Sequence, residues 1–331
     1  MRVPWSIHWY KGILILLDNL SLSVDPLSKA SEGDFVLISH AHSDHIAGFK
    51  INKPKLTSYL TLKLYEAQSG RRLFNVLSTF LNSQCFSLGP LDIEVYESGH
   101  ILGSVQFLFK HRCGSLAYTG DLNLEKTLVT NPGYQLECDQ LIIDATYGHP
   151  EISFPNRALL YNEIADFVEA LVKIGSPPAF LAYSIGKAQE LIAIINNLLN
   201  LEVLIDEKIF RVNKIYEKHG FKFKYIRMRS AEGREALKSK SLPVIVSNKK
   251  QLHLAEKKGF IKAIATGWAK IYPYKNFHAA FPLSNHADFP KLVDYVYKSK
   301  AKRVYAVGYF AKYFANWIER RLNIRSIALS D

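Results

Sequence analysis

The sequence predicts an α/β protein in which a second α/β unit is inserted into a mixed strand-and-helix domain. In the first 150 residues, short apolar runs broken by turns predominate. After residue 150, strands alternate with amphipathic helices, which is typical of a parallel sheet. From residue 281 the mixed pattern returns. We therefore expect one domain made of residues 1–150 and 281–331, and an inserted domain of residues 151–280.

The strands of the first domain are predicted from short apolar runs bounded by turn residues. These runs lie at 12–17, 35–38, 92–96, 105–110, 115–118 and 140–143. A helix is expected at 61–69. After the insertion, a helix at 288–298, a strand at 303–307 and a helix at 311–322 complete this domain.

The inserted domain begins with an amphipathic helix at 156–174, where apolar residues recur at helical spacing. A strand at 177–183 follows, then a turn containing Gly186 and a helix at 188–199. Strand, glycine turn and helix form the repeating unit of a parallel sheet, and similar units continue to residue 274.

Positive charge is concentrated in the inserted domain. The net charge of the 331-residue chain is +12, and residues 201–275 contain 18 Lys and Arg against 7 Asp and Glu. This excess favours a polyanionic partner such as nucleic acid. The alternative is a lysine-rich solvated surface.

The cysteines and the apolar runs give expectations about the cellular compartment and about membrane association. Cys85, Cys113 and Cys138 are widely spaced and odd in number, which predicts free thiols in a reducing cytoplasm. No apolar run reaches the roughly 18 residues needed to cross a bilayer, so we expect no membrane partner. The sequence does not indicate an oligomeric state.

A dense group of histidines follows the predicted strand at 35–38. The segment Ser39-His40-Ala41-His42-Ser43-Asp44-His45 offers three imidazoles and a carboxylate. Such side chains at a strand end present nitrogen and oxygen ligands to a transition metal such as zinc. The alternative is a polar loop that happens to be rich in histidine.

Four later segments place further ligands at the ends of predicted elements. His100 and Asp121 each follow a strand, Asp144 ends a third strand, and His286 precedes a helix. Each alone is a weak signal, because Gly-His and Gly-Asp are common in turns. Strand ends at one rim of a sheet converge, so the ordered set predicts a metal site.

These segments resemble the motifs of the metallo-β-lactamase superfamily and, more narrowly, of its β-CASP nuclease branch. That branch includes ribonuclease J, endonucleases of messenger-RNA 3′ processing and Artemis-like DNA nucleases. Residues 40–45 resemble the second motif, His100 the third and Asp121 the fourth. Asp25 is chosen as the first-motif aspartate, which orients the loop without binding metal, and Asp18 is the alternative.

The resemblance also covers the β-CASP motifs and implies the fold. Asp144 resembles the first of these motifs, where a carboxylate supports a metal-binding imidazole, and His286 resembles the second. The implied fold is an α/β, αββα metallo-β-lactamase sandwich with an inserted β-CASP cap at residues 151–280.

The resemblance implies one or two bound zinc ions, with manganese as the alternative metal. The ligands of the tighter ion would be His40, His42, His100 and Asp121. The ligands of the weaker second ion would be Asp44, His45 and Asp121. Metal-activated hydroxide would attack phosphorus, Asp44 would position the water, and His286, supported by Asp144, would protonate the leaving oxygen or stabilise the phosphate.

The third β-CASP motif departs from the RNA-processing members. They place a histidine ligand of the second metal where this chain has Val307. An apolar residue there resembles the DNA-directed members. The second metal loses a nitrogen ligand and is expected to bind weakly or not at all.

Two groups of residues in the inserted domain are candidates for substrate binding. Ser184, Gly186 and Lys187 open a helix and would bind a terminal phosphate through backbone amides and the ammonium group. Within 221–229, four cations alternate and would share one face of a strand. They are Lys222, Lys224, Arg227 and Arg229. Contact with a phosphate backbone and protection of an exposed edge strand are equally good readings.

The favoured function is a metal-dependent DNA nuclease, most simply a 5′→3′ exonuclease acting in DNA repair. An RNA-processing β-CASP ribonuclease is the second reading. A thioesterase or lactonase of the wider superfamily is the third, although the large basic insertion and the His286 segment argue against it. A binding protein with an inactive site is the fourth, and would show erosion of the ligands.

Overall fold

The computed structural model describes residues 5–29, 32–74, 76–79 and 84–330. Two short 3-10 helices lie at Ile46–Lys50 and Gly267–Lys270. The strands are β1 (Ser6–Trp9), β2 (Ile13–Leu17), β3 (Leu20–Val24), β4 (Phe35–Ile38), β5 (Lys55–Ser58), β6 (Val76–Thr79), β7 (Gln84–Leu88), β8 (Leu91–Glu97), β9 (Val105–His111), β10 (Gly114–Tyr118), β11 (Gln140–Asp144), β12 (Pro178–Leu181), β13 (Val203–Ile205), β14 (Tyr225–Arg227), β15 (Val244–Val246), β16 (Ile261–Ala265), β17 (Ala279–Phe281), β18 (Arg303–Val307) and β19 (Arg325–Ala328). The α-helices are α1 (Tyr59–Ser69), α2 (Arg157–Lys173), α3 (Lys187–Leu199), α4 (Glu207–Lys218), α5 (Ala231–Ser239), α6 (Lys249–Glu256), α7 (Phe289–Ser299) and α8 (Ala311–Leu322).

The chain divides into two compact units. Unit 1 comprises Met1–Lys126, Asn131–Ser153 and His286–Asp331, and unit 2 comprises Thr127–Thr130 and Phe154–Asn285. Unit 2 therefore starts and ends a few residues later than the expected insertion of 151–280, and it takes in a short segment of the first domain.

Unit 1 is a sandwich of two sheets. The first sheet has the order β1-β2-β3-β4-β5-β6, and the second has the order β19-β18-β11-β10-β9-β8-β7. Their facing apolar side chains, among them Leu37, Phe107 and Ile142, form one buried core. The expected α/β sandwich is confirmed.

Helices cover the outer faces of both sheets of unit 1. Helix α1 packs on the first sheet through Leu62 and Tyr65, which join a cluster with Val36 and Ile38. Helices α7 and α8 pack on the second sheet in a cluster that includes Ile143. The layer order is therefore αββα, and strands such as β4 and β11 are apolar on both faces because both faces are buried.

Unit 2 is built around a six-stranded sheet with the order β14-β13-β15-β12-β16-β17. All of its strand pairs are parallel. Helices α2, α3 and α4 contribute to the core on one face of the sheet, and α5 and α6 contribute to the core on the other. This is the arrangement of a doubly wound α/β sheet.

One expected element of unit 2 is wrong. A strand over 221–229 was expected to place four cations on one face, but β14 spans only Tyr225–Arg227. Even a continuous strand would divide them, because Lys222 and Lys224 are at even positions and Arg227 and Arg229 at odd ones. Lys222 and Lys224 precede this strand and Arg229 follows it in a turn, although all four cations are exposed. The alternation of basic and apolar residues reflects an irregular segment that leads into an edge strand.

In the part of the chain that the structure describes, no helix combines the length and apolar character needed to cross a membrane.

Candidate metal centre

Asp25 holds both ends of the histidine-rich loop that follows β4. Its carboxylate accepts hydrogen bonds from the backbone N–H of Ser39 at 2.7 Å and from Nδ1 of His45 at 2.8 Å. The hydroxyl of Tyr118, at the end of β10, donates to the same carboxylate at 2.8 Å. Asp18 lies in the turn between β2 and β3 with half of its side chain exposed, and its Oδ2 lies 3.7 Å from Nε2 of His111. Of the two candidates for the first motif, Asp25 is the one that contacts the loop.

Four of the expected ligands converge at one rim of the sandwich. His40 and His42 follow β4, His100 lies in the loop after β8, and Asp121 follows β10. Oδ2 of Asp121 lies 3.3 Å from Nε2 of His40 and 3.4 Å from Nε2 of His100. Nε2 of His100 lies 2.9 Å from Nδ1 of His42. Four ligand atoms of this group lie within 4.8 Å of one another.

The residues expected to hold a second metal are less closely grouped. Nε2 of His45 lies 3.6 Å from Oδ1 of Asp121 and 3.7 Å from Oδ2 of Asp44. Asp44 joins none of the potential metal-binding groups found among the described residues, and its side chain is 70% exposed. A separate group contains Asp25, His40 and His45, but the carboxylate of Asp25 already accepts hydrogen bonds from protein groups.

His286 and Asp144 form a pair beside the four ligands. Nδ1 of His286 donates to Oδ2 of Asp144 at 2.8 Å, and its Nε2 lies 3.8 Å from Oδ2 of Asp121. These three residues form another potential metal-binding group. The position of His286 suits either a proton-transferring or a ligand role.

Val307 occupies the end of β18, directly opposite Asp144 in the parallel register of β11 and β18. Its partly buried side chain packs against the core between the two sheets. Gly308 follows with a φ of +97°, and a Cβ there would meet Thr146 and the Asp144 carboxylate at 3.0–3.1 Å. The chain therefore turns tightly against Asp144 immediately after Val307.

The site concentrates opposing charges among side chains that are mostly buried. Burial alone would raise the pKa of Asp121, but His45, His40, His286 and His100 hold it well below its usual range. Burial alone would lower the pKa of His45, but the carboxylates of Asp121 and Asp25 raise it to about 10. Burial lowers the pKa of His100. Electrostatic attraction between the carboxylates and the imidazoles thus outweighs desolvation at Asp121 and His45.

The donor set fits a divalent transition metal. Three imidazole nitrogens and one carboxylate oxygen are a ligand set that zinc prefers. Nε2 of His40 is buried and makes no hydrogen bond within the described residues, although it lies close to Asp121. A bound cation would satisfy this atom. The residues can therefore hold a metal ion.

Sequence reasoning missed two features that shape the site. The hydroxyl of Tyr118 supports Asp25 from a position 93 residues away. Gly120, with a φ of +54°, lets the chain pass so close to Ser39 that a Cβ would lie 2.9 Å from the Cβ of Ser39. The Tyr-Thr-Gly-Asp sequence at the end of β10 contains both Tyr118 and Gly120, but the sequence analysis gave a role only to Asp121.

The expected phosphate-binding residues lie at the start of α3. Gly186 caps this helix with a φ of +85°, and its N–H donates to the side chain of Gln189. Nζ of Lys187 is largely buried and donates to Oδ1 of Asn285 at 3.1 Å. Ser184 is also buried. Protein groups therefore use part of the hydrogen-bonding capacity that was expected to bind phosphate.

Two of the four cations near β14 also contact protein groups. The guanidinium of Arg227 pairs with Glu207 at 2.9 Å and lies 4.3 Å from the centre of the Phe210 ring. Nζ of Lys224 donates to Oδ1 of Asn200 at 2.6 Å.

Comparison with known proteins gives three informative relatives, while no family model matches the chain. A probable DNA ligase of Opitutus terrae is 29% identical over 328 residues, which are 96% of this chain and 30% of that protein. An RNase J-like protein of Methanocaldococcus jannaschii is 27% identical over 229 residues, 62% of this chain and 54% of that protein. The 5′ exonuclease Apollo of Gallus gallus is 26% identical over 174 residues, 50% of this chain and 36% of that protein.

The names of these relatives support the resemblance to the β-CASP branch of the metallo-β-lactamase superfamily. It spans less than two thirds of the length of each of the three relatives described.

A solved structure has the same fold along nearly the whole chain. A protein of unknown function from Enterococcus faecalis V583 superposes with a TM-score of 0.62 and 13% sequence identity, covering 99% of this chain and 98% of that one. At this identity the likeness supports the fold alone.

Proposed function

We propose that the protein is a metal-dependent nuclease. The observation that carries this proposal is the convergence of His40, His42, His100 and Asp121 at one rim of a β-CASP protein. These residues would hold the metal, for which zinc is the first choice and manganese the second. When bound, such a metal supplies Lewis acidity toward water and toward the phosphoryl oxygens.

The other residues of the site would orient the substrate and move protons. The carboxylate of Asp44 is exposed and would accept a hydrogen bond from the attacking water. Asp144 fixes the ring of His286 through Nδ1, which leaves Nε2 to donate a proton to the leaving oxygen. Asp25 would keep the loop in place without contacting substrate.

DNA is the favoured substrate, and stepwise digestion from the 5′ end is the favoured mode. Val307 supports DNA, because the RNA-processing members of the family have a histidine at this position. The names of two relatives, a probable DNA ligase and a 5′ exonuclease, also favour it. The RNase J-like relative supports the second candidate, an RNA-processing nuclease. The free cysteines favour a reducing compartment such as the cytoplasm.

The test uses single-stranded DNA and RNA of the same sequence, labelled at either end, with zinc or manganese. Asp121→Ala should be inactive, whereas Asp294→Ala, which removes an exposed carboxylate on α7, should behave as wild type. Degradation of DNA with RNA spared supports the proposal, and the products from each labelled end give the direction. Preferential RNA cleavage contradicts the DNA assignment. Hydrolysis of thioesters without cleavage of either nucleic acid contradicts the nuclease.

A further inference from the structure

A cavity of about 260 Å³ opens at the carboxyl edge of the sheet in unit 2. Its walls come from the segments that follow three neighbouring strands, β12, β15 and β16. Tyr183 follows β12, Ser247 to Lys249 follow β15, and Trp268 follows β16. The volume approaches the lower end of the range for small-ligand sites, about 300 Å³.

The cavity lies where the sheet changes its direction of winding. Helices α3 and α4, which follow β12 and β13, pack on one face of the sheet. Helices α5 and α6, which follow β14 and β15, pack on the other face. In open α/β sheets, ligands bind outside the carboxyl ends of the strands at this point, because the connecting segments diverge and leave a crevice.

The lining of the cavity selects for an aromatic group. Tyr183, Trp268 and Tyr274 contribute three aromatic side chains, and aliphatic residues from β12 and β16 form the floor. Planar bases stack on such side chains with little preference for sequence, because every base has a π-face. The hydroxyl of Ser247 donates to Asp206, and the side chain of Asn248 bonds to Gln251, so these polar groups are already engaged.

The charge at the mouth of the cavity selects for an anion. Lys249 is exposed, and no Asp or Glu is among the described residues that line the cavity. No ion pair of Lys249 is found within the described chain. Lys249 also begins α6, whose N-terminal end carries partial positive charge, although Oδ1 of Asn248 already accepts a hydrogen bond from the N–H of Gln251. A groove elsewhere in unit 2 is different, because Glu202, Glu217 and Glu232 line it.

We propose that this cavity binds one nucleotide, with the base among Tyr183, Trp268 and Tyr274 and the phosphate at Lys249 and the start of α6. The ligand chemistry is an aromatic base that carries a phosphate. Two sources can provide it, a residue of a nucleic-acid strand or a free mononucleotide. The inference rests on the proposed nuclease function only for the origin of that nucleotide.

The test measures the binding of deoxyadenosine 5′-monophosphate to the full chain in EDTA, by equilibrium dialysis. Lys249→Ala should weaken binding by about tenfold, the effect of losing one charged hydrogen bond. Lys250→Ala removes the neighbouring exposed lysine, which does not line the cavity, and should leave binding unchanged. Tyr274→Ser should weaken binding of the mononucleotide without changing that of inorganic phosphate.

A second arm uses a short 5′-phosphorylated oligodeoxyadenylate and identifies the source. If Lys249→Ala weakens binding of the oligonucleotide more than binding of the mononucleotide, the cavity binds a nucleotide within a nucleic-acid strand. A larger loss of binding for the mononucleotide than for the oligonucleotide supports a free mononucleotide as the ligand. Equal binding by Lys249→Ala and Lys250→Ala, or equal competition by inorganic phosphate and mononucleotide, overturns the proposal. Because these measurements contain no metal, a failure here is distinct from a failure of metal-dependent cleavage.

Discussion

Asp25 organises the metal centre through contacts that an asparagine could not reproduce. Its carboxylate accepts from Ser39, His45 and Tyr118, and an amide NH₂ would face at least one of these donors. Asp25→Asn should lower the free energy of opening of the β4 loop by about 3 kcal/mol, measured by hydrogen exchange.

Asp18→Asn is the matched control for this substitution. Both aspartates have a positive φ, which asparagine tolerates, so backbone strain is the same in the two variants. Asp18 is half exposed, and its replacement should change stability by less than about 0.5 kcal/mol. Equal effects at the two positions would contradict the role given to Asp25.

Removing the metal should destabilise unit 1, because a metal that binds only the folded state shifts the folding equilibrium toward that state. Binding to the folded state alone stabilises it by about 4 kcal/mol when the free metal exceeds its dissociation constant a thousandfold. The melting temperature of zinc-loaded protein should therefore fall on addition of EDTA. In Asp121→Ala, which lacks the shared carboxylate, EDTA should produce no shift. A shift of the same size in both proteins would place the metal elsewhere.

The turn at Gly99 connects β8 to the ligand His100. Gly99 has a φ of +75°, and a Cβ there would collide with the backbone of Asn123 and Gly133. Gly99→Ala should therefore lower the melting temperature strongly and reduce zinc binding. Gly89→Ala is the control, since Gly89 has a φ of +59° with nothing within 4 Å of an added Cβ. Its cost should be the conformational strain alone, about 1 kcal/mol.

Arg157 joins α2 to α3 through a buried charge. Its guanidinium donates to Glu190 at 2.7 Å, and Glu190 is completely buried. Arg157→Ala would leave this carboxylate without its cation and should lower the free energy of opening of α3 by about 3 kcal/mol. Lys173→Ala breaks an exposed pair with Glu169 on the same helix and should cost less than about 1 kcal/mol. Amide hydrogen exchange in α3 distinguishes the two results.

The elements that the sequence predicted well are those whose apolar runs end in turns. Strand β4 was predicted with its observed bounds, and β8, β9, β10 and β11 to within a residue at either end. The strand β3 was missed because its alternating Leu and Ser residues form no continuous apolar run. The expected strand at 221–229 was wrong, and the alternation of basic residues itself changes phase between Lys224 and Arg227.

The site was predictable as a set of residue types but not as a network. His40 and His42 indicate a metal site by their spacing directly after a strand. The contact between Tyr118 and Asp25 joins residues 93 positions apart, and no local pattern signals it. The burial of Lys187, which changes how it can meet a phosphate, also depends on the partner Asn285 far along the chain.

At the scale of the whole molecule, unit 2 is a nearly continuous segment with its own sheet and its own cores. Residues 154–285 expressed alone should therefore fold cooperatively, with the circular dichroism of an α/β domain. Residues 1–153 should not, because they lack β18, α7 and α8, which cover the outer face of the second sheet. A folded 1–153 fragment, or an unfolded 154–285 fragment, would contradict this division.

The position of β18 also sets an order of events during synthesis. This strand lies between β11 and β19 in the second sheet, yet it reaches the ribosome exit only after all of unit 2. One edge of β11 therefore lacks its partner strand while 158 residues, from Ala145 to Lys302, are translated. At about 5–20 residues per second, that interval lasts on the order of ten seconds or more. Before this time ends, the inserted unit has all the residues it needs, and the unit that surrounds it does not.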